Sequence, residues 1–107
     1  MKIYIAGKIT GNPNYKSDFQ MAEDYFLDQG HIVMNPAILP AGMNPEQYMQ
    51  ICIPMIFAAE LVAFLPGWET SEGAKLEYEL CCYIGKCTFF LLNSPVFMGK
   101  WCNLHES

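Results

Sequence analysis

Apolar and polar positions alternate in blocks along this chain, with short strand-like runs trading places with longer segments of helical period. Lys2–Ala6 (KIYIA) is a β-rich run that ends at Gly7. After Asn12 and Pro13, the apolar residues Tyr15, Phe19, Ala22 and Phe26 recur three and four apart, which predicts a helix stopped at Gly30. Residues 31–34 (HIVM) read as a second strand closed by Asn35 and Pro36. A loop rich in proline and glycine leads to Asn44-Pro45, an N-cap residue followed by proline at the first helical position. Tyr48, Cys52, Met55 and Ala59 form the expected buried stripe of that second helix, and Pro54 is expected to kink or shorten it. Residues 61–65 (LVAFL) are apolar without interruption, as in a strand covered on both faces. Ser71 is the expected cap of a third helix that reaches Ile84 and stops at Gly85, and Cys87–Leu92 is the fourth strand.

The order β-α-β-α-β-α-β predicts an α/β fold: one three-layer, doubly wound domain around a mainly parallel sheet of four to five strands, flavodoxin-like or Rossmann-like. Residues 1–107 are expected to form that single domain. The tail from Asn93 lacks a clear period, yet Phe97, Met98 and Trp101 are too apolar for water and are expected to pack on the domain or on a second subunit. In such sheets ligands sit at the C-terminal strand edge. Two glycine-bearing loops reach that edge, residues 7–12 after the first strand and 66–73 after the third.

Composition narrows the partners. The chain is 52% hydrophobic and 16% charged, which removes it from the disordered class. A net charge of −5 argues against nucleic acid polymers and anionic membranes as general partners. A small anion remains admissible at a helix N-terminus. The first nine residues are too short and too interrupted for a secretory signal, and Pro54 and Glu60 break the most apolar run, residues 51–65. Cys52, Cys81, Cys82, Cys87 and Cys102 are odd in number and show no C-x-x-C pairing, so reduced thiols and a cytoplasmic location are expected, without a metal. Nothing in the chain calls for an organic cofactor.

The third helix carries the candidate chemistry. Glu72, Lys75 and Glu79 share one face, where Lys75 and Glu79 make an i, i+4 charge pair. Glu77 faces elsewhere, with Gly73, Cys81 and Ile84 as its helical neighbours. A carboxylate on an apolar face is costly unless something satisfies it. It is either a partly exposed residue at the edge of the stripe or a functional group. Gly73, one turn nearer the helix start, leaves room for a ligand above it, and the helix dipole would favour its ionised form. Tyr4, in a central strand, either packs in the core or needs a partner for its hydroxyl, which a carboxylate across the pocket would supply. Gly7 and Gly11 make a tight strand-to-helix connection or let the backbone approach a ligand. Gly7-Lys8 is not a P-loop, and no G-x-G-x-x-G occurs. Trp68 either stacks on a flat ligand or lids the domain.

The run Ile3-Tyr4-Ile5-Ala6-Gly7-Lys8-Ile9-Thr10-Gly11, with Ser71-x-Gly73-x-x-x-Glu77 later, resembles the nucleoside 2-deoxyribosyltransferase superfamily. The nearer match is a compact, functionally uncharacterised branch found in bacteria and phages, whose signature appears here as Phe64-Leu65-Pro66-Gly67-Trp68-Glu69 followed by Ser71, Gly73, Ala74 and Glu77. The resemblance implies Glu77 as the nucleophile that attacks the anomeric carbon, Tyr4 as its orienter, and Gly7, Lys8 and the backbone to Gly11 as the loop around the sugar or its phosphate. Ser71 matches the hydrolase branch. Three positions depart from the pattern: Cys52 replaces the acid that handles the base, Thr10 replaces a phosphate-binding arginine, and Ala59-Glu60 replaces Ala-Asp. Glu69 is a candidate substitute acid, since retaining glycoside chemistry uses two carboxyl groups about 5 Å apart.

The expected function is therefore cleavage or transfer at the N-glycosidic bond of a nucleoside or nucleotide, with Trp68, Glu69, Ser71 and Gly73 beside Gly7, Lys8 and Gly11 at the substrate. A non-catalytic nucleotide-binding module and a structural subunit are the other readings. A homodimer or larger homo-oligomer is expected, with residues 93–107 as a candidate contact.

Overall fold

The computed structural model of the chain describes residues 1–92 and the backbone of Met98–Cys102. Its elements run β1 (Lys2–Ala6), α1 (Tyr15–Leu27), β2 (Ile32–Met34), α2 (Pro45–Ala58), β3 (Leu61–Phe64), α3 (Glu72–Ile84), β4 (Cys87–Leu92) and β5 (Met98–Cys102). The sheet order is β2-β1-β3-β4-β5. The first four strands are parallel, and β5 adds an antiparallel edge along β4. This is the α/β architecture that the alternating pattern predicts.

The two-residue period of each strand sorts its side chains between two cores. Ile3, Ile5, Leu61, Ala63, Phe89 and Leu91 face α1 and pack against Phe19, Ala22 and Phe26. Tyr4, Ala6, Val62 and Phe64 face α2 and α3 and pack against Cys52, Ile56 and Cys81. Helices thus cover both faces, which is why β3 is buried at every position. Burying a residue such as Phe19 contributes on the order of 2 kcal/mol.

Helix ends follow local chemistry. Asn44 and Gln47 form a reciprocal capping box that spans Pro45. Ser71 Oγ accepts from the Ala74 amide, and Gly85 closes α3 in the left-handed region at φ 72°. Pro54 does not shorten α2, which continues to Ala58. Both Pro54 and Gln50, whose carbonyl loses its intrahelical donor, lie on the exposed side, where water can substitute. Of the expected stripe, Cys52 and Ala59 are buried and are joined by Ile56, while Tyr48 and Met55 are only half-buried. On α3, Lys75 pairs with Glu72 at 3.2 Å, one turn earlier, instead of with Glu79. Met98 and Trp101 belong to β5, and Phe97 lies outside the described residues. No helix among the described residues is long and apolar enough to cross a membrane.

Candidate functional site

The sheet switches direction at β1: α1 lies on one face, and α2 and α3 lie on the other. At such a point the loops leaving neighbouring strands diverge and open a crevice at their C-terminal ends. A cavity of about 450 Å³ occupies this position. The β1–α1 loop supplies Gly7, Lys8, Ile9 and Thr10 to its wall; the approach to α3 and its first turns supply Thr70, Ser71, Glu72, Gly73, Ala74 and Glu77. Met43, Tyr48, Met49 and Cys52 come from α2 and the loop before it.

Each contributing segment is held locally. The Asn12 amide donates to the Lys8 carbonyl at 3.1 Å and to Asp18 at 3.2 Å, tying the β1–α1 loop to α1. Gly7 is closely packed, since a β-carbon there would lie 3.0 Å from Leu65 and 3.2 Å from Phe19, both of which would have to give way slightly. Buried Asn35 accepts from the Ala37 amide and donates to Glu23, and the Tyr48 hydroxyl donates to the Pro40 carbonyl at 2.6 Å. These bonds fix the β2–α2 loop over the cavity.

The central pair is Tyr4 and Glu77. Tyr4 Oη donates to Glu77 Oε2 at 2.6 Å, with Tyr4 1% and Glu77 6% exposed. Glu77 Oε1 makes no hydrogen bond among the described residues, and no buried side-chain polar atom there lacks a partner. Glu77 lines the cavity, and Oε1 is the carboxyl oxygen that Tyr4 does not engage. Burial pushes the Glu77 carboxyl up to about 7, against the hydrogen bond from Tyr4, which pulls it down. The helix dipole does not reverse this, because Glu77 stands six residues beyond the Ser71 cap and the dipole acts within the first turn.

Burial, and then the Glu77 charge, raises Tyr4 well above the ordinary tyrosine value, so it remains a donor. The Cys52 thiol sits against the Tyr4 hydroxyl and is raised by burial, so it stays protonated. Cys81, one turn beyond Glu77, is pushed up to about 12 by burial and by the same charge. Cys52, Cys81, Cys82 and Cys87 are all free thiols. Among the described residues no cluster of His, Cys, Asp or Glu could hold a metal ion.

The structure thus brings Tyr4, Gly7, Lys8, Ser71, Gly73 and Glu77 together around one cavity. Gly11, Trp68 and Glu69 are not part of its wall. Gly11 forms the turn beyond Lys8 at φ 78°. Trp68 packs away from the cavity in an aromatic cluster, 5.0 Å from the Phe64 and Tyr78 ring centroids and stacked on Phe90 at 5.6 Å. Glu69 is exposed in a single 3-10 turn, Trp68–Thr70.

The sequence model of one family, described as a domain of unknown function (DUF4406), matches residues 1–90. The chain belongs to this family. No curated protein and no solved structure matches it. The DUF4406 match includes every residue of the cavity wall and stops two residues before the end of β4.

Met43, Tyr48 and Met49 are among the wall residues that the sequence pattern does not assign to a ligand site. Tyr48 falls in the helical stripe and reads as core, but here that stripe runs on into a cavity. Glu72 is 90% exposed, lines the cavity mouth and is bound to Lys75. A glutamate at a helix start, paired in this way, carries no sequence signal that separates it from a solvated face.

Proposed function

We propose that this protein cleaves or transfers the N-glycosidic bond of a nucleoside or nucleotide, with Glu77 as nucleophile and Tyr4 as its orienter. The observation that carries the reading is the buried 2.6 Å hydrogen bond from Tyr4 to Glu77 at the wall of a switch-point cavity. With Oε2 held, Oε1 attacks the anomeric carbon. The bond from that carbon to the base nitrogen breaks, and its electron pair leaves with the base, which takes up a proton from solvent. The resulting glycosyl ester is resolved by water in a hydrolase or by a second base in a transferase. A Glu77 carboxyl near 7 is partly ionised at neutral pH, which suits both attack and departure. The likeness of the Tyr4–Gly11 and Ser71–Glu77 motifs to nucleoside 2-deoxyribosyltransferases supports the same chemistry.

One observation favours a second reading, a binding module without turnover. Glu72 is the only carboxyl besides Glu77 among the described wall residues, and it is exposed and neutralised by Lys75. The departing base then lacks a carboxylic acid at the wall to protonate it, and the Cys52 thiol stands nearest to that role. Assembly into a homodimer or larger oligomer belongs with either reading. It is favoured by the exposed apolar residues Ile51 and Phe57 on α2, and light scattering of a clean monomer would remove it.

The test is base release or exchange. The purified protein is incubated with ribo- and deoxynucleosides and their 5′-monophosphates, with and without a second free base, and products are followed by chromatography. Turnover that disappears in Glu77→Gln supports the mechanism. A silent panel accompanied by ligand-induced thermal stabilisation supports the binding module.

A further inference from the structure

The cavity has two chemically distinct sides. The β1–α1 loop and the α3 N-terminus give it Lys8, Thr10, Thr70, Ser71 and Glu72, which are polar or charged. The β2–α2 loop and α2 contribute a second set: Pro36, Met43, Pro45, Tyr48, Met49 and Cys52. None of these six carries a charged, side-chain amide or imidazole group. Charged and side-chain amide groups make the strongest contacts to the donor and acceptor edge of a base. The Tyr48 hydroxyl spends its one proton on the Pro40 carbonyl, so the residue offers its ring. Met43 and Met49 are flexible, polarisable thioethers that suit contact with an aromatic face.

Met49 also spans the gap between the two sides. Its Cε methyl lies where a β-carbon on Gly73 would be 3.4 Å away, so the space left by the missing side chain of Gly73 is bounded by a mobile methionine end. A wall of this kind yields to ring size and shape but does not read a hydrogen-bonding pattern.

We infer that Met43, Tyr48 and Met49 form a ring-binding subsite that accepts purine and pyrimidine bases without reading their edges, leaving selectivity to the sugar end of the ligand. The inference rests on the nucleoside reading of the cavity and goes beyond it by assigning the base to this side. Apolar pockets separate similar ligands by about 10- to 200-fold, whereas sites that hydrogen-bond a substrate group reject its analogues by about 10⁴-fold or more. A narrow spread of base affinities is therefore the signature.

The experiment titrates the intact protein with free adenine, hypoxanthine, cytosine and thymine by calorimetry, and repeats it with Tyr48→Ala, Tyr48→Phe and Met49→Ala, each checked for an unchanged fold by thermal melting. The four affinities are expected to fall within about a hundredfold of one another. Tyr48→Ala should weaken all four by about tenfold, while Tyr48→Phe, which keeps the ring and loses only the bond to Pro40, should weaken them less. Met49→Ala should improve N6-benzyladenine relative to adenine. A wider spread, an absence of base binding, or unchanged affinities in Tyr48→Ala overturns the subsite even if nucleosides are turned over. Uniform base binding without nucleoside turnover upholds it and removes the glycosidic reading instead.

Discussion

Tyr4 and Glu77 stand 73 positions apart in the chain, and a 2.6 Å hydrogen bond joins them in the core beside the cavity. The strand period turns Tyr4 toward the α2–α3 side, and the helix period turns Glu77 toward the sheet. Neither group is well placed alone. A buried tyrosine hydroxyl requires an acceptor, and a buried carboxylate requires a donor.

Removing the Glu77 charge should separate chemistry from folding. Glu77→Gln keeps the volume and can still accept from Tyr4, so the fold should survive. If Glu77 is the nucleophile, turnover on any substrate found should drop by about three orders of magnitude or more. Single-turnover assays measure this, and a Gln variant with full turnover would exclude covalent attack by Glu77.

Stability should fall as pH rises. The Glu77 carboxyl titrates near 7 in the folded protein against an ordinary value of 4.5, so the folded state holds a proton that the unfolded chain has released between these values. Its contribution to stability is greatest at about pH 4.5 and below, and is lost progressively up to about pH 7. The loss is on the order of 3 kcal/mol at 1.36 kcal/mol per unit. Urea denaturation at a series of pH values should show Glu77→Gln gaining on the wild type across this window and level with it below. Parallel curves for the two proteins would mean that Glu77 is not the buried titrating group.

Much of this arrangement is legible from residue spacing. Phe19, Ala22 and Phe26 declare the buried face of α1, and Ser71 and Gly85 mark both ends of α3, because caps and stripes are local devices. What stays hidden depends on contacts between distant segments. Trp68 reads as either a ligand platform or a lid, and only the convergence of Phe64, Tyr78 and Phe90 makes it a packing residue. Strand β5 includes Gly99 and Lys100 and follows an aperiodic stretch, so its pairing to β4 leaves no alternating signature. The tilt of Glu77 toward the protonated form also escapes a reading by helix position, since it comes from burial by neighbouring elements.

Tyr4→Phe should move a pH profile, beyond merely lowering a rate. The Tyr4 hydrogen bond favours the ionised carboxylate, so its loss raises Glu77 further. If Glu77 is the nucleophile, the rising limb of kcat/KM on a confirmed substrate should shift from near pH 7 to higher pH, with a loss of about tenfold at neutral pH that largely recovers at alkaline pH. Stability should also fall by about 1 kcal/mol above the transition, where a buried charge is left without its donor. A uniform rate loss at every pH would assign Tyr4 to packing alone.

The two cavity glycines should respond differently to a methyl group. At Gly7 a β-carbon would sit 3.0 Å from both Leu65 Cβ and Cδ1, and the Leu65 N–H is anchored by donating a hydrogen bond to the Ala6 carbonyl. Gly7→Ala should therefore force the β1–α1 loop away from β3 and cost about 1–3 kcal/mol, read as a lower melting temperature. At Gly73 the nearest atom is the far end of Met49 at 3.4 Å, which can move aside, and alanine is the better helix former. Gly73→Ala should leave stability within about 1 kcal/mol of the wild type, or slightly raise it, while narrowing the approach to Glu77 and weakening ligand binding. If Gly73→Ala bound nucleosides as well as the wild type does, the open space beside Met49 would not be part of the ligand's path.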